Sequence, residues 1–211
     1  MKLFDPEGIA FSLLTDTFDL VFANVLFLIC CLPVITIGPA ISALYKVCRN
    51  IQEDRGSGVA RTFFSAFKDN LKEGIIAWLI IAGLLLLCGV DFWYWFHYST
   101  GTTQQIMLVL CGGIVALILM CAQWIFPIQY QFRNTVKNTL KNSLLFALKY
   151  LIPTLLMSVL TAGWLFLLLY FDYLRILFLI IGISLPVFLK TYYIRKIFKQ
   201  YLPAEENTPE E

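Results

Sequence analysis

The sequence predicts an all-α integral membrane protein with five transmembrane helices and amphipathic interfacial helices on the cytoplasmic side. Three observations point there. Hydrophobic residues fill 59% of the 211 positions and charged ones only 14%, with a mean hydropathy of +0.76. A soluble domain averages about 25% charged and 45–50% apolar residues. The charges are also unevenly spread, collecting between long apolar runs close to the roughly 20 residues that cross a bilayer. Finally, Lys and Arg fall almost wholly on one side once those runs are taken as spans.

Five runs come near the required length: residues 20–37, 75–96, 106–128, 150–171 and 173–189. The fifth is the shortest and begins against Arg175. Only Asp172 and its neighbours separate runs four and five, so these two read as a helical hairpin. Basic residues lie between runs one and two (Lys46, Arg49, Arg55, Arg61, Lys68, Lys72), between three and four (Arg133, Lys137, Lys141, Lys149) and after five (Lys190, Arg195, Lys196, Lys199). With the N-terminus outside and the C-terminus in the cytoplasm, fourteen of the sixteen basic residues are inside and only Lys2 and Arg175 are outside. That is the asymmetry expected of a multi-pass membrane protein with its basic loops in the cytoplasm.

Ahead of run one, Asp5-Pro6 reads as an N-cap followed by proline at the first helical position. Ile9, Leu13, Leu14 and Phe18 are expected in the outer interface. Asp5, Glu7, Asp16 and Asp19 against a single Lys2 are the opposite of a positively charged leader. Run one then meets residues 32–45, LPVITIGPAISALY. Pro33 and Pro39 each remove an N–H and bias the residue before them away from helix. Gly38 is expected at positive φ, where a side chain is unfavourable, and Pro39 suits the start of a new helix. This elbow should join a transmembrane helix ending near Leu32 to a helix on the membrane surface. Two interfacial helices are expected, over residues 40–53 and 62–72, joined by a turn at Arg55-Gly56-Ser57-Gly58. Their apolar stripes are Ile41, Leu44, Cys48 and Ile51 in one, and Phe63, Phe64, Phe67 and Leu71 in the other, opposite basic residues.

Run two ends in the aromatic cluster from Trp93 to Tyr98, as in an interfacial belt. A repeat is suggested by FKDNLKEGIIA at 67–77 and VKNTLKNSLLF at 136–146, in which Lys68, Leu71 and Lys72 match Lys137, Leu140 and Lys141. Proline near the inner end of runs one, three and five fits a duplicated helical hairpin plus a half unit. Convergence on common interface residues explains the same pattern equally well. Residues 1–202 thus read as one five-helix transmembrane domain, and 203–211 as an acidic, disordered cytoplasmic tail.

No C-x-x-C pair occurs and His97 is the only histidine, so no metal site is expected and the six cysteines read as small hydrophobes. No cofactor and no nucleic-acid partner are expected either. Polar residues in apolar runs need a reason. Asn24 reads first as a helix–helix hydrogen bond and second as a ligand contact. Gln123, one turn above Pro127, is placed to satisfy a carbonyl that the proline frees. Asp91 with Trp93 and Trp95 resembles a sugar-contacting surface, against the plainer reading of a headgroup-level aspartate facing Arg175.

Asn24-Val25-Leu26-Phe27, Gly38-Pro39-Ala40 with Ala43-Leu44-Tyr45, Phe63 to Lys68 (FFSAFK), and Asp91 after the second run are similar to the YesL-like family of bacterial membrane proteins. That family has no established activity. In Gram-positive bacteria it accompanies genes for carbohydrate import and polysaccharide breakdown, so the resemblance implies a place of work and not a mechanism. The expectation is a non-enzymatic accessory protein beside an ABC importer permease or solute-binding protein, in contact with anionic membrane lipid. No P-loop and no permease signature for docking an ATPase is present, and no paired carboxylates or nucleophile–base pair lie together. The alternative is a small solute transporter or channel, acting alone or as a homo-oligomer.

Overall fold

The computed structural model describes residues 9–55, 58–132, 135–171 and 180–201, and among these every regular element is helical. In chain order they are α1 (Ile9–Cys30), a 3-10 turn (Val34–Thr36), α2 (Ile37–Gln52), α3 (Val59–Asp69), α4 (Leu71–Tyr98), α5 (Thr102–Gln131), α6 (Val136–Lys149), α7 (Leu151–Tyr170) and α8 (Ser184–Phe198). Among the described residues the fold is all-α, and α4, α5 and α7 are long and apolar enough to cross a bilayer. Their most apolar windows are only 11%, 6% and 17% buried inside the chain, so the apolar surface faces outward, as a lipid-facing helix requires. At 1.5 Å per residue α4 and α5 run about 42 and 45 Å, longer than a hydrocarbon core of about 30 Å, so their ends stand among the headgroups.

The elbow departs from its sequence reading in three ways. The helix stops at Cys30, two residues short of Leu32, so the apolar run 20–37 is not one helix. The Cys31 N–H still reaches Phe27 O at 2.9 Å, and the Thr36 hydroxyl sits 2.5 Å from Cys30 O and 2.6 Å from Pro33 O, able to donate to either. These bonds answer carbonyls that a helix end leaves open. Next, α2 begins at Ile37, so Pro39 is its third residue, still in the first turn where a missing N–H costs nothing. Finally, Gly38 is helical and buried, and the positive-φ glycines among the described residues are Gly58 and Gly101. Pro33 and the 3-10 turn reverse the chain, and Gly38 serves a different purpose.

That purpose is the crossing of α2 and α4. A Cβ on Gly38 would lie 2.2 Å from Gly74 O and 2.8 Å from Trp78 Cβ. A Cβ on Gly74 would in turn lie 2.8 Å from Pro39 N and 2.9 Å from Pro39 Cα. The two glycines let the backbones touch, the device that small residues provide where membrane helices pack.

Two helices do occupy the segment after the elbow, but α2 is not spread on a surface with one face free. Ala40, Ala43, Leu44, Val47 and Cys48 are at most 1% exposed, because α1, α3, α4, α5 and α8 all pack around α2. Small residues at 38, 40, 42 and 43 make so many close neighbours sterically tolerable. In α3, Phe63 is buried and stacks on Phe67 at 6.3 Å while Phe64 stays outside. Beneath α2 the core continues through Trp124 of α5, which is fully buried against the rings of Phe146, Tyr150 and Phe198.

Ile9 to Cys30 form one continuous helix, with no break between an outer-interface piece and a span. Its face of Leu14, Phe18, Phe22, Val25 and Ile29 is exposed, while Leu20, Ala23, Asn24 and Phe27 face the core. Asp16 and Asp19 line one cleft with Asp54 and Arg55 of the α2–α3 turn. The suggested repeat does not hold its register. Asn70 is the break between α3 and α4, whereas its counterpart Thr139 lies inside α6, which breaks from α7 only at Tyr150. The N-terminal Asp5-Pro6 pair, the turn residues Gly56 and Ser57, Asp172, residues 173–179 of run five including Arg175, and the acidic tail lie outside the described residues.

Candidate functional site

Asn24 is fully buried on α1, and its Oδ1 accepts the N–H groups of Ile183 at 3.1 Å and Ser184 at 3.2 Å. These are the first donors of α8, which has no side-chain cap of its own. Asn24 therefore does from another helix what an N-cap residue does locally. Gln123 donates Nε2 to Ser158 Oγ of α7 at 2.7 Å, not to a carbonyl freed by Pro127. One residue on, Trp124 Nε1 donates to Thr154 Oγ1 at 2.9 Å. The pair forms a short polar ladder between α5 and α7.

Asp91, Trp93 and Trp95 lie near the far end of α4, where Asp91 and Trp93 are exposed. Nineteen residues separate Asp91 from Lys72, about 28 Å along the helix and close to one hydrocarbon thickness. The aromatic end therefore lies about one hydrocarbon thickness from Lys72 along α4. Trp93 faces the His97 ring at 4.9 Å and Tyr98 at 5.7 Å, while Tyr94 stacks on Tyr98 at 5.5 Å. His97 Nδ1 lies 3.0 Å from Trp93 O, and Gln104 Nε2 closes the α4–α5 turn on Phe96 O at 3.1 Å. Asn24 and Gln123 are not brought to this end. The sequence-selected polar residues thus form three separate places, one of them exposed.

A cleft that sequence reasoning missed lies between α1, α2 and α3. It is an open cleft of about 320 Å³, lined by Thr15, Asp16, Asp19, Asn50, Asp54 and Arg55, among others. Burial pushes the Asp16 carboxyl up from its ordinary 3.8, and the nearby Asp54 and Asp19 push it the same way. Asp16 and Asp19 sit three apart on one face of α1, a signal visible in the sequence. Their partner Asp54 is a neighbour only because the elbow folds α2 back along α1. Beyond it, Arg49 Nε donates to Glu53 Oε1 at 3.0 Å, Arg49 Nη1 bonds Gln131 Oε1, and Arg55 Nε lies 3.1 Å from Glu53 Oε2. All six cysteines are free, and no cluster of three or more His, Cys, Asp or Glu able to hold a metal occurs among the described residues.

Residues 20–92 match the family described as "Protein of unknown function, DUF624", to which YesL-like proteins belong. The match covers about a third of the chain, which is similar to DUF624 over that segment. The matched segment begins within α1 and runs through the elbow, α2 and α3 into α4, so it contains Asn24, the Gly38–Gly74 crossing and Asp91. Asp16 and Asp19 precede it, and Gln131 and α8 follow it. No curated protein and no solved structure matches this chain.

Proposed function

We propose that this protein is a non-enzymatic accessory protein of the bacterial plasma membrane, working beside a carbohydrate ABC importer or its solute-binding protein. The place of work rests on the YesL-like resemblance. The accessory role is supported by one observation: among the described residues, the polar side chains that meet between α5 and α7 bond one another and do not face a shared opening. Gln123 is engaged by Ser158, and Asp91 is at a helix end. The 320 Å³ cleft is lined by α1, α2, α3 and the turn between α2 and α3, and by none of α4, α5 and α7. A solute path would need polar groups facing a shared interior, which is the weakness of the alternative, a stand-alone or oligomeric transporter or channel. Affinity purification of the tagged protein from native membranes tests the proposal. Co-purifying ABC permease supports it, and labelled sugar moved into liposomes by the isolated protein overturns it.

The charge partition alone proposes five crossings, with the N-terminus outside and the C-terminus in the cytoplasm. One observation favours a second arrangement. Asp16 and Asp19 share a cleft with Asp54 and Arg55, so the first half of α1 is level with the basic α2–α3 turn and not a bilayer away from it. With α1 lying along the inner face, its exposed stripe from Leu14 to Ile29 meets lipid, and Lys2 joins the basic residues inside. Arg175 then remains the one basic residue outside. A reporter fused ahead of Met1 decides between them, because an external signal supports five crossings and a cytoplasmic one the second arrangement.

A further inference from the structure

Helix α8 packs against α1, α2 and α7 and places a lysine at a core position. Pro186, Val187, Lys190, Thr191, Ile194 and Ile197 share its inward arc, and Lys190 is only 7% exposed, no more open than Val187 or Ile197. The aliphatic stem suits such a place. The ammonium carries three donors, yet it makes no hydrogen bond or ion pair among the described residues. Its neighbour Thr191 turns its hydroxyl back to Val187 O at 2.7 Å.

Among the described residues, the helices around α8 supply no counter-ion. α2 presents the Cys48 thiol, 3.9 Å from Ser184 O, and Arg49, which shares a niche with Arg195 and Lys199. α1 presents the uncharged Asn24, and α7 carries no Lys, Arg, His, Asp or Glu from Leu151 to Tyr170. At the far end of α8, α5 brings Tyr130, while Lys149 and Tyr150 meet Tyr201. The other charged groups of α8, Arg195 and Lys196, are cations too. Of the acids, Glu53 bonds Arg49 and lies beside Arg55, and Asp16 and Asp19 line the cleft between α1, α2 and α3. Burial alone therefore acts on the amine and draws its ammonium from the ordinary 10.5 down to about 8.

A charged amine in this place is unfavourable unless its tip regains water, whereas a neutral one is tolerated. We propose that Lys190 is a proton-binding site that sets how tightly α8 is held: the amine is neutral while α8 is docked, and taking up a proton loosens α8 from α1, α2 and α7. The proposal rests on the packing of α8 and not on the carbohydrate reading. The neutral amine's contribution to docking is fully present above the ordinary 10.5 and is lost as the pH falls through about 8. Hydrogen–deuterium exchange of the full chain in neutral detergent, read by mass spectrometry on α8 peptides, compares the parent with Lys190→Met, which has no proton to gain. The ratio of parent to Lys190→Met exchange should fall on the order of tenfold between about pH 7 and pH 9, as one proton bound with values of about 8 docked and 10.5 loosened requires. Lys190→Arg stays charged and should exchange fast in α8 throughout, without that change; if this variant fails to accumulate, the Lys190→Met ratio decides alone. A ratio that stays level with pH, an equal fall in α4 peptides, or a Lys190→Arg protein that follows the parent overturns the proposal.

Discussion

Substituting Gly38 by alanine probes the α2–α4 crossing directly. The added Cβ would sit 2.2 Å from Gly74 O, over 1 Å inside ordinary contact, and the obstacle is helix backbone that cannot swing aside. The helices must separate, and overpacking of this kind costs about 1–3 kcal/mol. Alanine is also about 1 kcal/mol better than glycine inside a helix, which offsets part of that loss. Gly83 of α4 supplies the internal control, since a Cβ there meets nothing within 4 Å. Gly83→Ala should therefore be neutral or stabilising by up to about 1 kcal/mol. The net cost of up to about 2 kcal/mol should make Gly38→Ala and Gly74→Ala each unfold earlier, by up to about 8 °C at about 2–4 °C per kcal/mol for a chain of this size. Because both press on one contact, the double variant should cost less than the sum of the singles. Thermal unfolding in detergent and immunoblots of membrane fractions read all four proteins. If Gly38→Ala melts together with Gly83→Ala, the close approach of α2 and α4 is not what Gly38 provides.

Other expectations follow from individual side chains. Asn24→Leu removes the acceptor for two N–H groups at the start of α8 and should destabilise by about 1–3 kcal/mol, with faster amide exchange at Ile183 and Ser184. Asp91→Asn, on an exposed helix end, should leave membrane abundance unchanged. Loss of growth on a polymeric sugar with abundance intact would assign Asp91 to ligand contact, whereas unchanged growth leaves it a headgroup-level residue. Asp16 has a raised folded-state pKa, so its ionised form opposes the fold: that group's stabilising effect is present below pH 3.8 and lost as pH rises through the folded value. Asp16→Asn should accordingly raise the melting temperature at pH 7, with the gain shrinking as the pH is lowered towards 4, measured across a pH series.

Composition and charge placement were enough to read an all-helical membrane protein, because hydrocarbon tolerates few other backbones and leaves long apolar runs in the sequence. They also located α4, α5 and α7, since a lipid-facing helix is apolar all round and needs no partner to be recognised. The two helices after the elbow showed in the three- and four-residue spacing of Ile41, Leu44, Cys48 and Phe63. What the sequence could not disclose is the set of neighbours each residue acquires. Gly38 looked like a turn glycine because Pro39 follows it, and only the position of Gly74, thirty-six residues on, shows that it is a contact glycine. Asn24 was visibly polar in an apolar run, yet its partners at Ile183 and Ser184 lie more than 150 residues away. Asp16 and Asp54, or Arg49 and Arg195, carry no mutual signal along the chain. The reversal at Pro33 and the close packing around α2 put them together, and such approaches depend on backbone geometry in three dimensions that local residue preference does not encode.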